Sequence, residues 1–170
     1  TTGTRHATFA VGTPNQRVND IVVRGSGEVL ITGSFTAVGG TARVRLANLD
    51  GTSGALGSLN VNVNNTVNDM ELDDAGNVIY LAGTFGSVGG SSRNRLAGVS
   101  LAGAGAVTSL TLTAITGSLS AVTLDGNGGL YIGGAFQITP EKDNPGVVAR
   151  VAIDTNAVTA VVPYYETPRS

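Results

Sequence analysis

The chain has 170 residues, enough for one domain with a sizeable core; 41% are hydrophobic and only 13% charged. A formal net charge of −2, with Lys142 as the only lysine, argues against the clustered positive surface that nucleic-acid binding requires. The lack of cysteine excludes disulfides and thiolate metal sites, and no apolar run approaches the roughly 18 residues of a membrane-spanning helix. The polar start Thr1-Thr2-Gly3-Thr4 carries no recognisable signal peptide, and a chain that opens on Thr is expected to be processed or excerpted from a longer one.

Taken in order, residues 4–11 are predicted to form a leading strand around Phe9, ended by Gly12-Thr13-Pro14-Asn15. A four-strand plan follows. Residues 18–23 alternate as a strand and turn at Arg24-Gly25-Ser26-Gly27 into a second strand over 29–35. After Gly39-Gly40 come a third strand at 45–49 and a fourth over 55–63. In the fourth, Leu59, Val61 and Val63 share one face and Asn60, Asn62 and Asn64 the other. The plan recurs with strands at 67–72, 78–85, 95–101 and 107–115. It recurs again at 119–124, 130–136, 147–153 and 157–162, with Asp-Gly and Gly-Gly turns between them. No segment has a helical apolar period, so the fold class is all-β.

The three second strands share a signature: Thr32-Gly33-Ser34-Phe35, Ala82-Gly83-Thr84-Phe85 and Gly133-Gly134-Ala135-Phe136. The phenylalanines stand 50 and 51 residues apart. Such a period marks a repeat architecture, and four short antiparallel strands per repeat is the plan of a β-propeller blade. We expect one repeat domain over 1–170, with a leading strand in 1–17 and repeats at 18–66, 67–118 and 119–170. Gly33, Gly83 and Gly134 would let the backbones of neighbouring blades approach, and Phe35, Phe85 and Phe136 would pack between blades. Propellers have about four to eight blades, so three blades imply either a segment of a longer propeller or a ring completed by further copies.

The pattern Gly-Ser/Thr-Phe-x-x-Val-Gly-Gly followed by Arg-Leu-Ala resembles the delta-sixty repeat, a family of bacterial and phage-associated propeller-like repeats. The resemblance covers most of 4–162. It is weaker in the third repeat, where Gln137-Ile138-Thr139-Pro140 replaces Val-Gly-Gly. It implies a fold and a setting in large secreted, surface or virion proteins. It transfers no catalytic residues.

Several residues are candidates for chemistry. Arg45, Arg95 and Arg150 recur at one position of each repeat, with Arg43 and Arg93 beside two of them. They could present guanidinium groups to an anionic glycan. The reading we favour has them brace loops through backbone carbonyls or pair with Asp20 and Asp69, because a ligand site rarely needs the same group in every repeat. Ala121 stands where those aspartates stand, so Arg150 would turn to Glu141 or Asp143. The insertion 139–145 offers Glu141, Lys142, Asp143 and Asn144 as a candidate binding loop, against a plain surface excursion. Asp73-Asp74-Ala75-Gly76-Asn77 and Asp125-Gly126-Asn127 read as turns rather than calcium loops, because Thr84 stands where an EF-hand needs Glu. His6 is the only histidine and carries no metal spacing. Asn64-Asn65-Thr66 is a formal glycosylation sequon. Tyr164-Tyr165 would cap the last blade.

No nucleophile, metal or paired-carboxylate signature identifies a reaction, and no cofactor is implied. The expectation is a non-enzymatic structural or interaction module, extracellular, on a cell surface or in a virion. Its partners would be copies of itself or neighbouring structural proteins, without nucleic acid or membrane insertion. The alternative is a carbohydrate-binding propeller for surface glycans.

Overall fold

A computed structural model describes residues 12–112, 115–138 and 146–163. The fold is all-β, in three antiparallel meanders and two small hairpins. The first sheet contains β1 (Val18–Val23), β2 (Val29–Gly33) and β5 (Leu46–Leu49), in that order. Between β2 and β5, β3 (Ala37–Val38) and β4 (Thr41–Ala42) form a hairpin of their own. The second sheet orders β6 (Val67–Asp73), β7 (Val78–Gly83), β10 (Leu96–Ser100) and β11 (Ala106–Val107), with β8 (Ser87–Val88) and β9 (Ser91–Ser92) as its side hairpin. The third orders β12 (Ile115–Leu124), β13 (Gly129–Ile138), β14 (Gly146–Ala152) and β15 (Val158–Pro163).

Local chemistry accounts for the turns. Both side hairpins turn on Gly-Gly with φ of 57° and 78° at Gly39 and Gly40, and 56° and 80° at Gly89 and Gly90. A two-residue turn that matches strand twist needs positive φ at both positions, which glycine adopts freely. In the third sheet β13 runs straight on through Gln137 to Ile138, where the other two sheets have left their second strand after Gly33 and Gly83.

The first strand of each sheet carries a register shift, between Val18 and Asp20, Val67 and Asp69, and Leu119 and Ala121. Asn19, Asn68 and Ser120 are therefore bulged. This bulge explains the signature glycine. A Cβ on Gly33 would overlap the Arg17 carbonyl, on Gly83 the Thr66 carbonyl and on Gly134 the Ser118 carbonyl. The close approach expected between neighbouring blades is thus made within each sheet, where the bulged strand leans on its own partner.

The sheets pack face on face. Leu30 and Leu46 of the first sheet share a core with Met70, Ile79, Leu81, Phe85 and Val99 of the second. Tyr80, Ala82 and Leu96 on the opposite face of the second sheet share one with Leu119, Val122, Leu130, Ile132 and Phe136 of the third. Phe85 and Phe136 therefore lie in cores spanning two sheets. Phe35 is equally buried, but among Ile31, Ala47 and Leu49 of its own sheet and Val38 of the side hairpin. Burying a phenylalanine fully contributes about 1.5–3 kcal/mol, so these three anchors count among the larger single terms.

The predicted fourth strand at 55–63 is not a strand. Leu59, Val61 and Val63 are buried and Asn60 and Asn62 exposed, as the alternation implies, yet only isolated bridges remain, Leu49 to Leu56 and Val63 to Val88. Its backbone bonds are divided between two sheets. Gly57 N donates to Asn48 O at 2.7 Å and Val63 N to Val44 O at 3.3 Å, while Asn60 N reaches Ala104 O at 2.9 Å. A segment that serves both neighbours cannot keep a ladder with one. Of the strand predicted over 107–115, Val107 belongs to β11 and Ile115 opens β12, residues 108–112 are not strand, and 113–114 lie outside the described residues. The leading strand predicted at 4–11 lies outside the described residues.

Candidate functional site

The chemistry-bearing side chains converge on the seams between sheets. Bulging turns Asn19 and Asn68 out of their own ladders, a usual effect of a β-bulge. Asn19 Nδ2 donates to Val67 O at 2.6 Å, and Asn68 Nδ2 to Leu119 O at 2.7 Å. The next residue completes the clasp. Asp20 Oδ2 accepts from Met70 N at 3.0 Å, and Asp69 Oδ2 from Val122 N at 2.7 Å. Each Asn-Asp pair therefore seizes the first strand of the following sheet by one carbonyl and one amide. Ser120-Ala121 at the same place in the third sheet has no such groups.

Burial pushes the Asp69 carboxyl up from its usual range, and the nearby Asp20 charge adds to this against the Val122 amide bond. Two carboxylates thus sit close together in the seam. Glu71 adds a contact, accepting from Leu124 N at 3.2 Å.

Outside this line, the first two sheets are joined by a polar network. Arg24 donates from Nε to Asp74 Oδ1 at 2.9 Å, from Nη1 to Glu28 Oε2 at 2.9 Å and from Nη2 to Asn77 Oδ1 at 2.7 Å. Glu28 in turn accepts from Asn48 Nδ2 at 2.5 Å, and Asn48 Oδ1 accepts from Leu59 N at 2.9 Å. The Asp74 carboxyl is held below its ordinary value, first by the Gly25 amide and then by Arg24. Asp73 replaces Arg24 at the next seam, and a groove of about 490 Å³ opens there beside Tyr80, Asn127, Arg150 and Asp154.

The recurring arginines divide by sheet. Arg45 and Arg95 adopt left-handed backbone, φ 67° and 64°. That conformation costs about 1–2 kcal/mol for a residue with a Cβ. It is offset by backbone bonds and a guanidinium brace. Arg45 Nη1 donates to Val63 O at 2.7 Å; Arg95 Nε donates to Gly117 O at 2.6 Å and its Nη1 to Thr84 O and Phe85 O at 2.9 Å. Bonds from a charged donor contribute about 1.5–3 kcal/mol, enough to offset a strain of that size. Arg43 and Arg93 similarly reach Gly57 O at 3.0 Å and Thr108 O at 2.6 Å. Neither Arg45 nor Arg95 bonds Asp20 or Asp69, whose carboxylates are engaged by amides of the next sheet.

Arg150 differs. It is not the structural counterpart of Arg45 and Arg95: Val147 precedes Val148 as they precede Leu46 and Leu96, whereas Arg150 pairs with Tyr131 as Asn48 pairs with Leu30 and Gly98 with Tyr80. From strand β14 it forks onto Asp125, with Nε to Oδ2 at 2.6 Å and Nη2 on the same oxygen. Gly129 leaves room for this pair, since a Cβ there would press on both groups. Asp125, not Glu141 or Asp143, is thus the partner seen among the described residues. Its carboxyl lies below the usual range, chiefly through the Asn127 amide, with Gly129 N and Arg150 adding to it.

No protein-family model, curated protein or solved structure matches the chain.

Glu141, Lys142, Asp143 and Asn144 lie outside the described residues, as do His6, Tyr164 and Tyr165. Among the described residues no group of three or more His, Asp or Glu could hold a metal ion. The acidic turns act as turns: Asp73 Oδ1 accepts from Gly76 N, and Asp125 Oδ1 from Asn127 N and Gly129 N, at 2.7–2.8 Å. Sequence reasoning missed the roles of Asn15, Asn19, Asn64 and Asn68. Asn15 Oδ1 accepts from Thr36 N and Ala37 N, and Asn64 Oδ1 from Gly86 N and Ser87 N, each anchoring a side hairpin. The signal was present, as Val-Asn-Asp at 18–20 and 67–69 preceded by Asn three residues upstream.

Proposed function

We propose that this chain is a non-enzymatic structural and interaction module of a secreted, cell-surface or virion protein, built from propeller-type repeats similar to the delta-sixty family. One observation carries the reading. Every arginine among the described residues, and the carboxylates of Asp20, Asp69, Asp74 and Asp125, are hydrogen-bonded within the scaffold, chiefly at its seams. Groups held so are committed to rigidity rather than to turnover or to an anionic ligand. Assembly proceeds through the faces of the sheets, with further copies or neighbouring structural proteins.

The test is a glycan array run on the wild type and on Arg95→Ala, with thermal melts of both. We expect no glycan bound by either and a lowered Tm for the variant. A wild type that binds a glycan, with binding lost in an Arg95→Ala protein of unchanged Tm, would overturn this in favour of a carbohydrate-binding propeller.

A further inference from the structure

The large apolar residues that remain exposed are four, among those described: Ile21 (59%), Val23 (62%), Tyr131 (45%) and Val148 (38%). They are not scattered. Ile21 and Val23 lie on the first sheet, on the face turned away from the second. Tyr131 and Val148 lie on the third sheet, on its face turned away from the second.

Strand register shows what these positions are. Ile21 pairs with Ile31 as Met70 pairs with Leu81 and Val122 with Ile132; Val23, Leu72 and Leu124 are equivalent in the same way. Met70 and Val122 are buried against the preceding sheet. Tyr131 stands at the position of Leu30 and Tyr80, and Val148 at that of Leu46 and Leu96; all four of these are buried against the following sheet. The exposed residues are thus the two unmatched halves of an interface that the chain forms twice internally.

We propose that a second copy of this chain docks head to tail, with Tyr131 and Val148 of one copy covering Ile21 and Val23 of the next. The partner is committed by continuity: each open face matches, position by position, a half of the internal seams. The contact is heterologous, so it closes into a ring or propagates as a filament according to the rotation per copy. It also differs from the internal seams. Ser120-Ala121 offers no clasp, and the Ile21 amide is already bonded to its own Asp20 Oδ1 at 2.8 Å, so apolar contact can cover it without stranding a donor. The junction is therefore weaker than the internal seams and insensitive to salt.

The inference rests on the reading of the chain as an assembly module, and its test is separate from the glycan array. Native mass spectrometry and light scattering over a concentration series should give masses in whole multiples of the chain. Ile21→Asp and Val148→Asp, both at exposed positions, should each be monomeric with a wild-type circular dichroism spectrum. Mixed, they should form a 1:1 complex, because one keeps the head and the other the tail; if either substitution unfolds the chain, Val23→Asp and Tyr131→Asp replace them. A monomeric wild type would overturn head-to-tail docking, its faces then belonging to another repeat, and would leave the module reading intact. Self-association of Val148→Asp alone would overturn it in favour of a two-fold contact.

Discussion

The first two sheets and the third share one register plan and differ in how they hold it. In the first two, a Gly-Gly hairpin interrupts the meander, an arginine is forced into left-handed backbone, and its guanidinium ties that bend to carbonyls. In the third, β13 and β14 run on as long strands, Val147 takes the place of that arginine, and Arg150, three residues further on, pairs with Asp125. The forward clasp follows the same division, present as Asn-Asp twice and absent as Ser-Ala once. The lesson is that the bulge and its glycine are common to all three sheets, whereas the clasp is found only where a further sheet follows within the described chain.

The comparison breaks most visibly at the clasp. Asp69→Ala strands the Val122 amide in a partly buried seam and should cost about 1–3 kcal/mol in urea unfolding, with Asp20→Ala close behind. Ala121→Asp, on the open third sheet, should change the stability of the monomer by no more than about 0.5 kcal/mol. A large loss there would mean that its face is already covered.

A sharper contrast comes from backbone conformation. At position 95 both Ala and Gly remove the brace, but Gly relieves the left-handed φ, so Arg95→Gly should be about 1 kcal/mol more stable than Arg95→Ala. At position 150, in an extended strand, the order should reverse by about 0.5–1 kcal/mol. Denaturant midpoints of four variants decide it.

The smallest effects concern pH. Asp74 and Asp125 have lowered folded values, so their contribution is present above the unfolded carboxylate value and lost as pH falls through the folded one. Asp74→Asn and Asp125→Asn should thus lower Tm at neutral pH and converge on the wild type in acid. Asp69 runs the other way: its raised value makes the ionised form unfavourable, so Asp69→Asn should fare better relative to the wild type as pH rises through that value. Melting curves from acid to neutral pH compare the slopes.

Much of this protein was legible before folding. Period-two alternation and Gly or Asp-Gly turns are local signals, and they placed the main strands of all three sheets within a few residues, as at Val67–Asp73 and Val158–Pro163. Segment 55–63 shows where that reading fails. Its alternation reports burial correctly, but whether an alternating segment is a strand depends on where its amides find acceptors, and Asn48 lies in the first sheet while Ala104 lies in the turn between β10 and β11 of the second.

The sequence by itself determined the all-β class, the repeat period and the need for glycine at 33, 83 and 134, because sterics and burial pattern act over a few residues. Only the tertiary structure decided the seams. Asp20 meets Met70, Asp69 meets Val122 and Arg24 meets Asp74 across about 50 residues of chain. No local propensity distinguishes a carboxylate that clasps a neighbouring amide from one that pairs with an arginine. The same holds for Ile21 and Tyr131, ordinary core residues in the repeat pattern that stand exposed because no sheet among the described residues covers them.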